Sequence, residues 1–268
     1  MTMDESAKAD QAVSGASAEG AVGQPVPAIT RATRVLDSLV RSRHGASLTE
    51  LAERCSLAKS TASNLLRTMV AEGLVRYDNQ TRQYNLGPVL VEYGVAALTR
   101  TTVVTEARPF MESLAEQSEL ACLAIQPMPD GHFTAVAKIE SRKDIKITIG
   151  VGERFGASAP LLSRLSAAWG TPAPGAPTVD DSVLDRIRAQ GYDTAFGEYR
   201  PELNVVGFPV FDRDGYPCLF ITLLAMGADL TLDEIDQMAA YLVESAIAIT
   251  TRSGGKVPPG YPTVGTTD

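Results

Sequence analysis

The stretch from Ser47 to Gly87 constrains this chain more than any other part of it. Ser47-Leu-Thr-Glu-Leu-Ala-Glu-Arg-Cys puts Leu48, Leu51 and Ala52 at helical spacing. A break at Ser56-Leu57-Ala58 follows, and Lys59 opens a second helix with Leu65, Leu66, Met69 and Val70 as its expected buried stripe. Lys59, Ser60, Thr61, Ser63, Asn64, Arg67 and Thr68 fall on the open side. Helix, tight turn, and a second helix with a polar N-terminus is the arrangement that seats a helix in a DNA major groove. Gly73-Leu-Val-Arg-Tyr and Arg82-Gln-Tyr-Asn-Leu-Gly, separated by a turn at Asp78-Asn79, predict a β-hairpin, the wing of a winged helix-turn-helix. A plain helical hairpin in a core has no need of that wing, so the pattern points to DNA.

The net charge of −8 opposes this reading only while the chain is treated as a whole. Residues 29–87 hold nine Lys and Arg against five Asp and Glu, a net of +4. The 28 residues before them carry −3 and everything after Gly87 carries −9. A basic module on an acidic body suffices for phosphate contact, because screening acts over about 8–10 Å.

At 268 residues there is chain enough for two domains. Residues 1–28, rich in Ala, Ser, Gly and acidic groups, read as a disordered tail and not a signal peptide. No apolar run approaches the roughly 18 residues of a membrane span. Cys55, Cys122 and Cys218 are odd in number and scattered among apolar neighbours, which argues for reduced thiols in a cytoplasmic protein. Ahead of the helix pair, Thr30 to Arg41 aligns Val35, Leu36, Leu39 and Val40 as a further helix. Ser47 or Thr49 is placed to cap the next one, and Ser60 or Thr61 the one after.

Helices over Pro88 to about Arg100 and Thr105 to Gln117 read as a connector, residues 88–118. Beyond Glu119, strands are expected at Ala121–Gln126, Phe133–Ile139, Ile145–Val151, Val205–Phe211 and Cys218–Leu224. Helices are expected at Ser158–Trp169, Val183–Gln190 and Leu230–Thr250. The whole is an α+β chain: a winged helix-turn-helix over 29–87, a helical linker over 88–118, an α/β domain over 119–252, and a tail over 253–268.

Lys59, Ser60, Thr61, Ser63, Asn64 and Arg67 are the candidates for DNA contact. Lys, Ser and Thr hold phosphates, while Asn and Arg read adenine and guanine edges. Arg76 and Arg82 flank the wing, within reach of backbone or minor groove, or stand as ordinary surface charge. Catalysis finds no support. His44 and His132 lack a partner at motif spacing, Gly150-Val-Gly-Glu-Arg-Phe-Gly lacks the Lys-Ser/Thr of a phosphate loop, and zinc spacing is absent. No cofactor or metal is expected.

Taken in order, Arg34-Val-Leu-Asp-Ser-Leu, Leu48-Thr-Glu-Leu-Ala, Leu57-Ala-Lys-Ser-Thr, Leu65-Leu-Arg-Thr-Met, Gly73-Leu-Val and Tyr84-Asn-Leu-Gly-Pro resemble the IclR family of bacterial transcriptional regulators. Arg108-Pro-Phe-Met-Glu-Ser-Leu-Ala-Glu, Ile187-Arg-Ala-Gln-Gly-Tyr and Pro209-Val-Phe-Asp-Arg-Asp-Gly extend the resemblance over residues 29–251. It implies a GAF-like effector domain after the linker, homodimers often paired into homotetramers, and a response to small organic acids or aromatic metabolites.

Departures are local. Ser56 stands where the family usually has Gly, and Asn64 where it commonly has Arg. Pro160, Leu161 and Ser163 replace smaller residues of a ligand-binding segment. Val205, Thr222 and Leu224 stand where relatives often show Cys or Ser. These changes imply a more apolar ligand, or a pocket partly filled and unresponsive. Ser158, Asn204 and Thr222 are the candidate polar contacts for an effector, with Phe155, Val205 and Phe220 as apolar walls. The leading reading is an effector-responsive regulator of operator DNA. The alternative is a constitutive dimeric DNA-binding protein with a degenerate C-terminal domain.

Overall fold

The computed structural model describes residues 26–100, 102–142, 149–170, 172 and 174–263. Residues 1–25 and 264–268 of the expected tails, and the start of the expected Ile145–Val151 strand, lie outside the described residues. The chain divides into two compact units, Met1–Gly94 and Val95–Asp268.

The first unit holds α1 (Pro27–Val40), α2 (Leu48–Arg54), α3 (Lys59–Ala71), β1 (Val75–Asp78), β2 (Gln83–Leu86) and the start of α4 (Val89–Arg100). Ser47, not Thr49, starts α2 through a capping box. Its Oγ accepts from the Glu50 amide, and the Glu50 carboxylate accepts from the Ser47 amide at 2.8 Å. The bend to α3 is a Schellman turn. Ser56 N–H donates to Glu53 O and Leu57 N–H to Ala52 O, with Ser56 at φ 54°. A side chain in that left-handed region costs about 1 kcal/mol, which a glycine would not incur.

Val35, Leu39, Leu51, Cys55, Leu66, Met69 and Val75 make the core of this unit. Val70 does not join it. On α3 the buried residues are Ala62, Leu66 and Met69, a spacing of four and three, and Val70 lies one step round the helix at 38% exposure.

The hairpin pairs Tyr77 with Tyr84, ring centroids 4.7 Å apart, and Asp78 Oδ1 closes its loop by accepting from the amides of Gln80 and Thr81. Ala46 bridges to Tyr84 as a further rung. Gly87 lets the chain leave the wing: a Cβ there would lie 2.0 Å from the Gly73 carbonyl oxygen.

In the second unit, α5 (Thr102–Ser118), α6 (Pro160–Trp169), α7 (Asp181–Gln190) and α8 (Leu232–Arg252) cover a six-stranded antiparallel sheet of order β5-β4-β3-β8-β7-β6. The strands are β3 (Ala121–Pro127), β4 (Phe133–Ile139), β5 (Arg154–Phe155), β6 (Asp193–Phe196), β7 (Leu203–Phe211) and β8 (Pro217–Met226). Alternate residues of β8 serve opposite faces. Leu219, Ile221 and Leu223 pack with Met111 and Leu114 of α5 and Leu242 and Ile249 of α8. Phe220 and Leu224 pack with Leu161, Leu162 and Leu165 of α6 and Ile187 of α7.

Three expectations change. The helix α5, expected as a connector, buries Val104, Ala107, Met111, Leu114 and Ala115 on the sheet and so forms part of this core. Ile149 is buried but residues 149–152 turn, and the strand lies later, at Arg154–Phe155. Residues 253–263, expected as tail, are packed. Tyr261 is 5% exposed, its ring sits 5.3 Å from Trp169 and 5.2 Å from Phe211, and its hydroxyl donates to Gly191 O. Burying that ring outweighs ordering a short segment of Gly and Pro.

Ser56→Gly is expected to raise the stability of the first unit by about 1 kcal/mol, because it relieves the left-handed backbone. Gly87→Ala is expected to lower it by about 3 kcal/mol through overlap with the Gly73 carbonyl. Denaturant unfolding of the two variants checks both signs; equal midpoints would overturn the account.

Candidate DNA interface and ligand cavity

The helix α3 begins at an Ala58 N-cap with no side-chain cap and no acidic residue in its first turn. Neither Ser60 nor Thr61 caps it. Its first amides are left to an outside acceptor, where partial positive charge collects. Lys59, Ser60, Ser63, Asn64 and Arg67 are exposed along it, and Thr61 is half-buried. Arg67 Nη2 donates to Asn64 Oδ1 at 3.1 Å, so the two polar groups best suited to base edges hold each other on one ridge. Arg76 on β1 and Arg82 at the wing tip are both exposed, Arg82 at φ 56°. The amides of Thr81 and Gln80 hold the Asp78 carboxyl below its ordinary value, which keeps the turn acceptor ionised at neutral pH. All eight residues chosen from the sequence therefore lie on α3 or the wing.

The effector candidates separate. Between the sheet and the N-terminus of α6 lies a cavity of about 50 Å³, and Phe155, Val205 and Thr222 line it. Leu161, Leu224 and Tyr199 share the lining, and Tyr199 meets Phe155 edge-on at 5.8 Å. Thr222 is 1% exposed and its Oγ1 has no hydrogen-bond partner.

Ser158, Asn204 and Phe220 are not in the cavity lining. Ser158 is exposed beside Ser163 and Arg164 in a separate outer recess. Asn204 neighbours Val205 on β7 and so faces the other way; its Nδ2 donates to Gly227 O at 2.7 Å and Leu230 O at 3.2 Å. Phe220 is fully buried against Phe133, ring to ring at 5.8 Å, as core. Sequence reasoning missed Tyr199, whose loop gives no periodic signal.

Asp193 on β6 is fully buried. Arg164 Nε reaches it at 2.6 Å and Arg186 Nη2 at 3.2 Å. Arg164 also forks onto Glu198 at 2.6 and 3.1 Å and donates to Thr194 O. Burial pushes the Asp193 carboxyl above its ordinary value, against the pull of the guanidiniums. The network ties α6 to β6 and to Glu198, next to the cavity residue Tyr199. His132, unpartnered on sequence grounds, contacts Asp130, and Arg154 lies 3.2 Å from the same carboxylate.

Arg164→Ala is expected to cost about 3 kcal/mol by leaving the buried Asp193 carboxylate with Arg186 alone, while Arg186→Ala, at an exposed guanidinium, costs about 1 kcal/mol or less. Urea unfolding separates the two, and equal losses would show that Asp193 does not depend on Arg164.

Residues 28–79 match the model of the IclR helix-turn-helix domain. The regulator BhcR of Paracoccus denitrificans is 26% identical over 251 residues, covering 87% of this chain and 88% of its own. The crystal structure of an IclR transcriptional regulator from Alicyclobacillus acidocaldarius superposes with a TM-score of 0.75 at 26% identity, over 86% of this chain and all of that one. An IclR homologue from Microbacterium hydrocarbonoxydans, solved in complex with 4-hydroxybenzoate, shares the fold with a TM-score of 0.65 at 17% identity, over 84% of this chain and 98% of its own. Residues 28–79 are thus an IclR-type helix-turn-helix, and over most of its length the chain is similar to transcriptional regulators of the IclR family.

Proposed function

We propose that α3 and the wing bind operator DNA in sequence-specific fashion and that a small molecule in the cavity of the second, GAF-like unit regulates that binding. The observation that carries the DNA part is the ridge of Lys59, Ser60, Ser63, Asn64 and Arg67, exposed on a helix whose first amides are uncapped. In this reading Lys59, Ser60 and Thr61 hold phosphate, Ser63, Asn64 and Arg67 meet base edges, and Arg76 and Arg82 carry the wing against the backbone. The effector part is supported by the cavity, which Phe155, Val205 and Thr222 help to line, and by the neighbour that holds 4-hydroxybenzoate. A ligand that favours one arrangement of the protein over another shifts the equilibrium between them.

The protein works in this reading as a homodimer, or as a homotetramer of paired dimers, in the cytoplasm. Support for pairing comes from α4, where Val91 and Val95 are exposed one turn apart on the same side; exposed apolar groups placed like this are characteristic of interfaces. Cys55 and Cys122 are buried thiols, and burial pushes the Cys218 thiol up to about 11, in keeping with a reducing compartment.

One observation favours the second reading, a constitutive DNA-binding dimer. The cavity holds about 50 Å³, against the roughly 150 Å³ of an apolar cavity that admits benzene. An effector must therefore push its walls apart, and a protein that resists this would not respond.

Titration of the full chain against the DNA upstream of its own gene, at several salt concentrations, tests the DNA part. Fragment-selective binding with a steep salt slope is expected. Lys59→Ala should weaken all fragments alike and reduce the slope by about 1, while Asn64→Ala should cost about 1–3 kcal/mol on the selected fragment alone. Equal, weak binding to every fragment would sink the proposal at that locus. For the assembly, Val91→Glu with Val95→Glu should give a monomer in sedimentation and weaker DNA binding; an unchanged sedimentation coefficient would place the interface elsewhere.

A further inference from the structure

We infer that a recess between α1 and α2 binds a phosphoryl group through Arg34, Arg41 and Arg54. The recess holds about 530 Å³ and is lined by Arg34, Asp37, Ser38, Arg41, Ser42 and Arg54, so it is separate from α3 and the wing. Arg34 and Arg41 stand seven residues apart on α1, two turns and about 10.5 Å, on the side turned away from buried Val35 and Leu39. Arg54 comes in from the C-terminal end of α2. Its Nη1 donates to Ser42 Oγ at 3.3 Å, and the Ser42 hydroxyl donates in turn to Gly45 O at 2.8 Å. Burial pushes the nearby Cys55 thiol up, while Arg34 from one helix and Arg54 from the other both pull it back, so the two guanidiniums act on one point.

The charges here are not balanced. Of the nine Lys and Arg in residues 29–87, Lys59, Arg67, Arg76 and Arg82 belong to α3 and the wing. Three of the other five meet in this recess, where Asp37 is the one carboxylate in the lining. Glu50 reaches Arg54 only at 3.7 Å, and its carboxylate is engaged by the Ser47 amide and hydroxyl at 2.8 and 2.7 Å. Among the described residues, Arg34 and Arg41 form no ion pair. Like charges gathered in this way repel one another, and an anion with several acceptor oxygens removes that cost. A phosphoryl group answers better than a carboxylate, because it brings nearly two charges and three oxygens to three planar guanidinium forks. All three side chains are exposed, so the anion meets them from solvent without opening the fold. The backbone of duplex DNA and a free phosphorylated solute carry the same group. The DNA source rests on the DNA-binding reading above; the solute source does not.

Inorganic pyrophosphate, titrated into the full chain by calorimetry at low salt, should bind, and acetate at the same concentration should not. Arg34→Gln with Arg41→Gln should bind pyrophosphate about tenfold more weakly without a lower melting temperature, since both side chains are exposed. Arg31→Gln with Arg43→Gln, exposed and outside the recess, should bind it as before. Pyrophosphate that fails to bind, that binds the recess variant equally well, or that is weakened as much by the control pair would each overturn the inference. So would acetate bound as tightly as pyrophosphate. The salt slope on unselected DNA then names the source. If backbone phosphate fills the recess, the recess variant lowers that slope by about 1 or more and the control pair leaves it unchanged. An unchanged slope, or an equal fall in both pairs, assigns the recess to a free solute. Because pyrophosphate is read without DNA, a wild-type chain with no fragment selectivity defeats the regulator reading alone, and selectivity without pyrophosphate binding defeats this inference alone.

Discussion

Burial of both faces of one antiparallel sheet is the constraint on which the second unit depends. Antiparallel sheets commonly leave one face to water and alternate apolar with polar residues. Here α5 and α8 cover one face and α6 and α7 the other, so β8 reads as a nearly unbroken apolar run from Cys218 to Met226. Such a run has no face on which a polar group is free of cost. A hydroxyl at Thr222 and a carboxylate at Asp193 are therefore the informative exceptions. Asp193 is answered within the fold by two guanidiniums, and Thr222 is not. The first ties elements together; the second has no partner among the described residues.

The first unit solves a different problem. It is too small to rely on a deep core, and its geometry comes from local backbone closures: the Ser47–Glu50 capping box, the Schellman turn at Ser56, the Asp78 loop and the approach of Gly87 to Gly73. Each fixes an angle between neighbouring elements, and together they set α3 with its polar side outward. Tolerating Ser56 at a positive φ shows that tertiary packing of α2 and α3 outweighs about 1 kcal/mol of backbone preference. The charge division follows the same boundary, so an acidic protein presents a basic unit to DNA.

How much was legible differs between the two sites. The exposed side of α3, the candidate DNA surface, was readable because a helix of known period sorts its own residues: with Leu66 and Met69 inward, Lys59, Ser63, Asn64 and Arg67 must face outward. Even there the edge of the stripe was misjudged at Val70, since one residue is 100° of rotation and Ala62 is too small to announce itself as core. The cavity was half legible. Phe155, Val205 and Thr222 line it, but Ser158, Asn204 and Phe220 sit elsewhere, each within three residues of a lining position. On a strand covered on both sides, hydrophobicity no longer says which face a residue serves, and a shift of one position reverses it.

Sequence alone determined the elements whose signals are local: the capped helices, the hairpin with its Asp78 turn, the long apolar strands, and the division of charge along the chain. Tertiary structure alone decided what depends on distant residues meeting. Tyr261 closes over Trp169 and Phe211, Arg164 reaches Asp193 across 29 positions of chain, and α5 belongs to the sheet and not to a connector. The reason is the range of the forces involved. Caps, turns and periodicity act within a few residues, whereas burial and ion pairing are set by what the folded chain places alongside.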